Sequence, residues 1–205
     1  PSGYRLARRA GNRITFELTI SMKLSRCIED LTVLEHLGPK DKEINSVCFD
    51  SRLAAPSCLF VAQKGNRSDG HDYIPEVVAK GAAVIVCENL PSEINPEVTY
   101  IRTGNSNLAL GLISAAWFSH PSRKLKLVGV TGTNGKTTIA SLLYNTLKAL
   151  GYKVGLLSTV CVRVDEQELP ATHTTPDAYA INSLLSQMLA AGCEYAFMEV
   201  SSHAV

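Results

Sequence analysis

The chain has 205 residues, a formal net charge of +1 and 45% hydrophobic residues. That length holds one large domain or two small ones with real cores. Near-neutrality leaves no basic field to attract a nucleic acid, and no apolar run approaches the roughly 20 residues that span a bilayer.

Residues 1–21 differ in character from the remainder of the chain. Arg5, Arg8, Arg9 and Arg13 make the segment basic, yet it lacks the apolar centre of a signal peptide. Met22 reads as a natural start, so 1–21 is expected to be a non-native or disordered leader, with a basic targeting peptide as the alternative. From Met22 the spacing of Leu24, Ile28, Leu31, Leu34 and Leu37 predicts one helix ended by Gly38-Pro39. Strands follow at Ile44–Phe49 and Cys58–Gln63, separated by Asp50-Ser51-Arg52 and the turn Ala55-Pro56-Ser57. The polar stretch 64–72 precedes a helix over Tyr73–Lys80, a strand Ala83–Cys87, a strand near Val98–Arg102 and a helix from about Asn107 to Phe118. Six cysteines (27, 48, 58, 87, 161 and 193) form no C-x-x-C pair and mostly sit in apolar runs. They read as buried reduced thiols of a cytoplasmic protein rather than a disulfide framework or zinc site.

The most informative stretch is 127–139, LVGVTGTNGKTTI: a β-branched run, a glycine-rich turn, a lysine with two threonines, then a helical pattern. Gly132 and Gly135 let the backbone turn its N–H groups toward phosphate oxygens. Lys136 can reach β- and γ-phosphates, the Thr137 hydroxyl can ligate Mg²⁺, and the helix Lys136–Leu150 aims its positive end at the same spot. The general pattern G-x-x-x-x-G-K-[ST] asks for a glycine where Val130 stands; the variant present is T-G-T-N-G-K-T-T.

Beyond it, Lys153–Leu157 reads as a strand and Val160–Val164 with Gln167–Leu169 as a hairpin. Thr175 as N-cap and Pro176 at the first helical position start a helix to about Ala191. Glu194–Val200 is the last strand. Alternating strands and helices after residue 104 predict a parallel α/β sheet of about three strands. A sheet with an open edge and an uncovered face suggests a truncated protein.

Three polar clusters accompany the loop. Glu199 and His203 follow the last strand, on the rim where doubly wound sheets bind ligands. They read as cation ligands or, alone, as exposed surface residues. His173-Thr174-Thr175-Pro176-Asp177 serves equally as a helix cap or an anion site. Asp50-Ser51-Arg52 with Asn66-Arg67-Ser68 could hold a polar ligand or be solvated loops.

Together, F-D-S-R (49–52), L-F-V-A (59–62), D-G-H-D-Y-I-P (69–75), the glycine loop (129–138), T-H-T-T-P-D (172–177) and M-E-V-S-S-H-A (198–204) resemble the Mur ligase family, and within it the MurE branch. The resemblance covers Met22 to Val205. It implies a small α/β UDP-substrate domain over 22–103 and the N-terminal part of a P-loop, parallel-sheet ATP domain over 104–205. The implied enzyme is an ATP-dependent ligase of peptidoglycan synthesis. Through an acyl phosphate it adds a diamino acid, meso-diaminopimelate or lysine, to UDP-N-acetylmuramoyl-L-alanyl-D-glutamate.

By the same resemblance, Gly132, Thr133, Asn134, Gly135, Lys136, Thr137 and Thr138 hold ATP. Thr137, Glu199 and His203 hold Mg²⁺, and Lys136, Glu199 and His203 form the catalytic set. Phe49, Ser51, Asn66, Arg67 and Ser68 meet the UDP end of the substrate, and His173, Thr174, Thr175 and Ser201 the muramoyl dipeptide. A monomer is expected, with no nucleic acid and no membrane insertion. The family continues past Val205, so this stretch alone is expected to bind the UDP substrate without completing ligation. A MurF-like ligase and a non-catalytic nucleotide-binding module are the alternative readings.

Overall fold

The computed structural model describes residues 21–65, 68–170 and 176–200. They form two compact units: one takes the chain up to Cys27 together with Thr32–Ala109, the other Ile28–Leu31 together with Leu110 onward. The segment 1–20 lies outside the described residues.

In the first unit, β1 (Met22–Lys23) leads into a single helical turn, α1 (Leu24–Cys27), and pairs antiparallel with β3 (Glu43–Ile44). Between them lies β2 (Glu35–Leu37). The main sheet adds β4 (Ser46–Cys48), β5 (Cys58–Val61), β6 (Val84–Cys87) and β7 (Thr99–Arg102), in the order β2-β7-β6-β5-β4. β4 to β7 run parallel and β2 antiparallel. Every residue of β5 and β6 is buried, as central strands of a parallel sheet require. Phe60, Ile85 and Tyr100 pack with Ile74 and Val77 of α2 (Ile74–Ala79) to form the core.

The helix expected over residues 22–37 is therefore corrected: it is one turn followed by a strand. Leu34 N–H donates to Arg102 O at 2.8 Å, and Leu37 lies opposite Tyr100 on β7. Pairing with β7 outweighs the helical spacing, and Leu34 is 53% exposed, so no continuous apolar face exists. The strand expected over Ile44–Phe49 is also corrected. It breaks at Asn45, whose N–H turns away to Ser57 O, giving β3 and β4. Five of the six cysteines, Cys27, Cys48, Cys58, Cys87 and Cys193, are buried. The hydrogen bond between the Cys48 and Cys58 thiols, and then burial, push the Cys48 thiol far above the usual range, so it stays protonated.

The helix α3 (Ser106–Trp117) spans the change from one unit to the other. The second unit then runs β8 (Lys126–Val130), α4 (Lys136–Ala149), β9 (Val154–Leu157), β10 (Cys161–Val164), β11 (Gln167–Pro170), α5 (Ala178–Ala190) and β12 (Tyr195–Glu199). Its sheet order is β11-β10-β9-β12-β8. β12 inserts between β8 and β9 and is parallel to both, whereas the β10–β11 hairpin adds antiparallel strands. The expected parallel strands are β8, β12 and β9, and the expected hairpin at Asp165-Glu166 extends the sheet by the antiparallel strands β10 and β11.

Alternation along the strands sorts the two faces. Leu156 and Phe197 pack with Ala140 and Tyr144 of α4, whereas Leu157 and Ala196 pack with Leu185 and Met188 of α5. The two helices cover opposite faces. The expected cap at Thr175-Pro176 is corrected to Asp177, whose carboxylate accepts from Ala180 N–H at 2.8 Å. Among the described residues no helix is long and apolar enough to cross a membrane.

Candidate functional site

The turn 131–135 joins the carboxyl end of β8 to α4. Gly135 caps the helix with φ +79°, and Gly132 has φ +144°. A Cβ at Gly135 would meet nothing within 4 Å, so the requirement is the backbone angle, not space. No side chain caps α4 and its first turn holds no acidic residue. Its leading N–H groups are left for an outside acceptor. Lys136 folds back over the loop, donating from Nζ to Gly132 O at 2.7 Å and to Thr133 O at 3.5 Å. Thr137 is half-buried at the second helical position, while Thr133, Asn134 and Thr138 are exposed.

Strand order explains what stands beside the loop. Glu199 ends β12 opposite Val130, the last residue of β8, and Val200 N–H donates to Val130 O at 2.9 Å. A carboxylate 67 positions later in the chain than Gly132 is therefore set at the root of the glycine turn. Glu199 Oε2 accepts from the Thr159 hydroxyl at 3.2 Å, and Thr159 follows β9 on the other side of β12. Among the described residues, Glu199 Oε1 is buried without a hydrogen-bond partner. A buried, unpaired carboxylate oxygen is costly to leave so, and a cation satisfies it. Glu199 thus fits the role of a cation ligand. Among the described residues no three metal-binding side chains cluster. His203, the other expected ligand, lies outside the described residues, as do His173, Thr174, Thr175 and Ser201.

The first unit has its own rim at the carboxyl ends of β4 and β5. Half-buried Phe49 leaves β4 and leads into a 3-10 turn at Ser51–Leu53. Asp50 accepts from the Arg52 guanidinium, Nε to Oδ1 at 2.9 Å and Nη2 to Oδ2 at 2.6 Å, and from Arg52 N–H at 3.0 Å. These bonds lower the Asp50 carboxyl to about 2. Ser51 O accepts from Lys80 Nζ at 2.8 Å. The aspartate and arginine are engaged with each other, which leaves Phe49 and the Ser51 hydroxyl as the groups open to a ligand here.

After β5, Lys64 and Asp69 bridge the base of a loop, Gly65 N–H donates to Ser68 O at 3.1 Å, and Ser68 is exposed. Asn66 and Arg67, within that loop, lie outside the described residues. The histidine of D-G-H-D is a structural pin. His71 Nδ1 donates to Asp69, and its Nε2 accepts from Glu88 N–H at 2.9 Å. Glu88 in turn accepts from the Ser106 N–H and hydroxyl, both at 2.8 Å.

Sequence reasoning missed Thr159. Its one signal is a polar Ser158-Thr159 pair directly after a buried strand, at the end of the sheet where ligands collect.

Two family models match the chain: "Mur ligase family, catalytic domain" over residues 43–112 and "Mur ligase middle domain" over residues 130–205. A relative from Phocaeicola vulgatus, named UDP-N-acetylmuramoyl-L-alanyl-D-glutamate--2,6-diaminopimelate ligase, is 50% identical over 184 residues. That match covers 90% of this chain and 38% of the relative. A Bacteroides fragilis protein of the same name is also 50% identical, with the same coverage. A solved structure of a ligase so named matches with a TM-score of 0.68 at 18% identity, over 90% of this chain and 37% of that one. The chain thus spans about two fifths of the length of these relatives.

Proposed function

Because the chain belongs to the Mur ligase family, we propose that it provides the substrate- and nucleotide-binding parts of an ATP-dependent amide ligase. That ligase adds meso-diaminopimelate to UDP-N-acetylmuramoyl-L-alanyl-D-glutamate. We assign UDP-substrate binding to residues 22–103 and ATP binding to residues 104–205. The observation that carries the reading is the uncapped, glycine-led start of α4 with Lys136 upon it and the unpaired Glu199 oxygen on the adjacent strand end.

A carboxylate is a poor electrophile, so amide formation needs its oxygen converted to a leaving group. Phosphorylation by ATP does this, and the amino group of the second substrate then displaces phosphate from the acyl carbon. The backbone N–H groups of residues 132–138 cradle the nucleotide phosphates. Lys136 exchanges its carbonyl partners for the β- and γ-phosphate oxygens and lowers the charge on the transferring group. Glu199 and the Thr137 hydroxyl would hold Mg²⁺, with His203 as the expected third group. Mg²⁺ supplies charge neutralisation of the phosphoryl oxygens. Phe49, Ser51 and the loop 66–68 hold the uridine end, and His173, Thr174, Thr175 and Ser201 hold the dipeptide. The protein acts as a monomer in the cytoplasm.

The names of the relatives support diaminopimelate as the amino acid and the UDP-muramoyl dipeptide as the acceptor. Competition binding tests the two-site assignment. UDP should displace UDP-N-acetylmuramoyl-L-alanyl-D-glutamate from the chain and ATP should not. Displacement by ATP, or a chain that binds ATP but not the UDP substrate, would overturn it.

A further inference from the structure

We propose that Thr159 is a positioning residue for the cation, acting by fixing the carboxylate of Glu199. The inference rests on the assignment of Glu199 as a cation ligand. Thr159 sits at the tip of a turn built to hold it still. Ser158 N–H and hydroxyl both donate to Cys161 O, at 3.0 and 2.9 Å, and Ser158 Oγ accepts from Cys161 N–H at 3.1 Å. Ser158 is buried, so the turn is anchored at the end of β9 while Thr159 and Val160 project from it.

From that tip Thr159 Oγ1 donates to Glu199 Oε2 at 3.2 Å, across the strand pair β9–β12. A glutamate carboxylate turns broadly about its last torsion. One hydroxyl on Oε2 fixes its plane, and the oxygen left over is Oε1, the buried atom with no partner among the described residues. The donor's chemistry matters. A lysine or arginine in this place would neutralise Glu199 and compete with a divalent cation, whereas a neutral hydroxyl leaves the carboxylate charge intact. The nearby ammonium of Lys136 is held on the carbonyls of Gly132 and Thr133. The branched side chain of threonine, stiff about its first torsion, suits a group whose task is aim. Hydroxyls of this kind, one step removed from a metal, typically change metal affinity by about 10- to 100-fold.

The test uses the whole chain, Mn²⁺ as the cation and a non-hydrolysable ATP analogue. Its affinity is measured with Mn²⁺ and with EDTA, and the ratio is the metal-dependent gain. Thr159→Val, which keeps the shape and removes the hydroxyl, should lower that gain about tenfold. Thr159→Ser should retain most of the gain. Glu199→Gln, run alongside, should abolish it. A gain unchanged in Thr159→Val while Glu199→Gln loses it would overturn the role of Thr159 and leave Glu199 as a ligand. A gain unchanged in Glu199→Gln would overturn both. A fall in Tm and in metal-free affinity as large as the fall in the gain would make the contact merely structural, and also overturns the proposal.

Discussion

Lys136→Ala is expected to remove ATP binding while leaving binding of the UDP-muramoyl dipeptide intact. In the structure the lysine ammonium rests on the carbonyls of Gly132 and Thr133, contacts that bulk water can replace at the surface. Triphosphate oxygens offer far more negative charge than two carbonyls, so the lysine's contribution lies almost wholly in the bound state. A hydrogen bond to a charged group contributes about 1.5–3 kcal/mol, or roughly 10- to 150-fold in affinity. Loss of the cation's field adds to that. Circular dichroism and urea midpoint should match the parent, because α4 keeps its glycine cap and its packed face of Ala140 and Tyr144. Calorimetry with ATP and, separately, with the UDP dipeptide reads the result. ATP binding within threefold of the parent would show that Lys136 is not the phosphate ligand.

Gly70→Ala is expected to destabilise the first unit strongly. A Cβ there would stand 2.7 Å from both N and O of Gln63 and 3.0 Å from the carbonyl carbon of Ala62. These are backbone atoms at the end of a buried strand, and they cannot step aside as a side chain does. The same glycine donates to Gln63 O at 2.8 Å, closing the loop that carries residues 66–68. Its neighbour Asp69 holds His71, which pins the loop after β6 through Glu88 N–H. Forcing the two backbones apart should cost about 3 kcal/mol, the upper part of the range for overpacking. The urea midpoint of the first unit should fall and affinity for the UDP substrate with it, while ATP binding is unaffected. An unchanged midpoint would mean that the close approach is absent.

The glycine loop was legible because its requirements are local: a strand, two glycines able to take positive φ, a lysine and a helix start, all in one short stretch. The α/β class was legible for a similar reason, since Cys58–Val61 and Val84–Cys87 are wholly apolar runs bounded by polar turns. Leu24–Leu37 misled because apolar spacing says nothing of a partner strand. The hydrogen bonds of residues 34–37 go to β7, more than sixty positions away. The cap of α5 was misplaced by two residues because Thr175 and Asp177 are both good caps, and only the structure shows whose oxygen meets the Ala180 N–H. Glu199 was placed on the right rim by its position at a strand end. The contact from Thr159 depends on β12 inserting beside β9, a neighbour relation that spans 40 residues of sequence.

Residues 22–103 are proposed to hold a UDP-muramoyl dipeptide. Calorimetric titration of the purified chain with UDP-N-acetylmuramoyl-L-alanyl-D-glutamate, with a circular dichroism spectrum of the same sample, tests it most directly. Saturable heat with one site per chain is expected. A folded spectrum with no heat would contradict the assignment of Phe49, Ser51 and the 66–68 loop to the substrate, and would leave a nucleotide-binding module in its place.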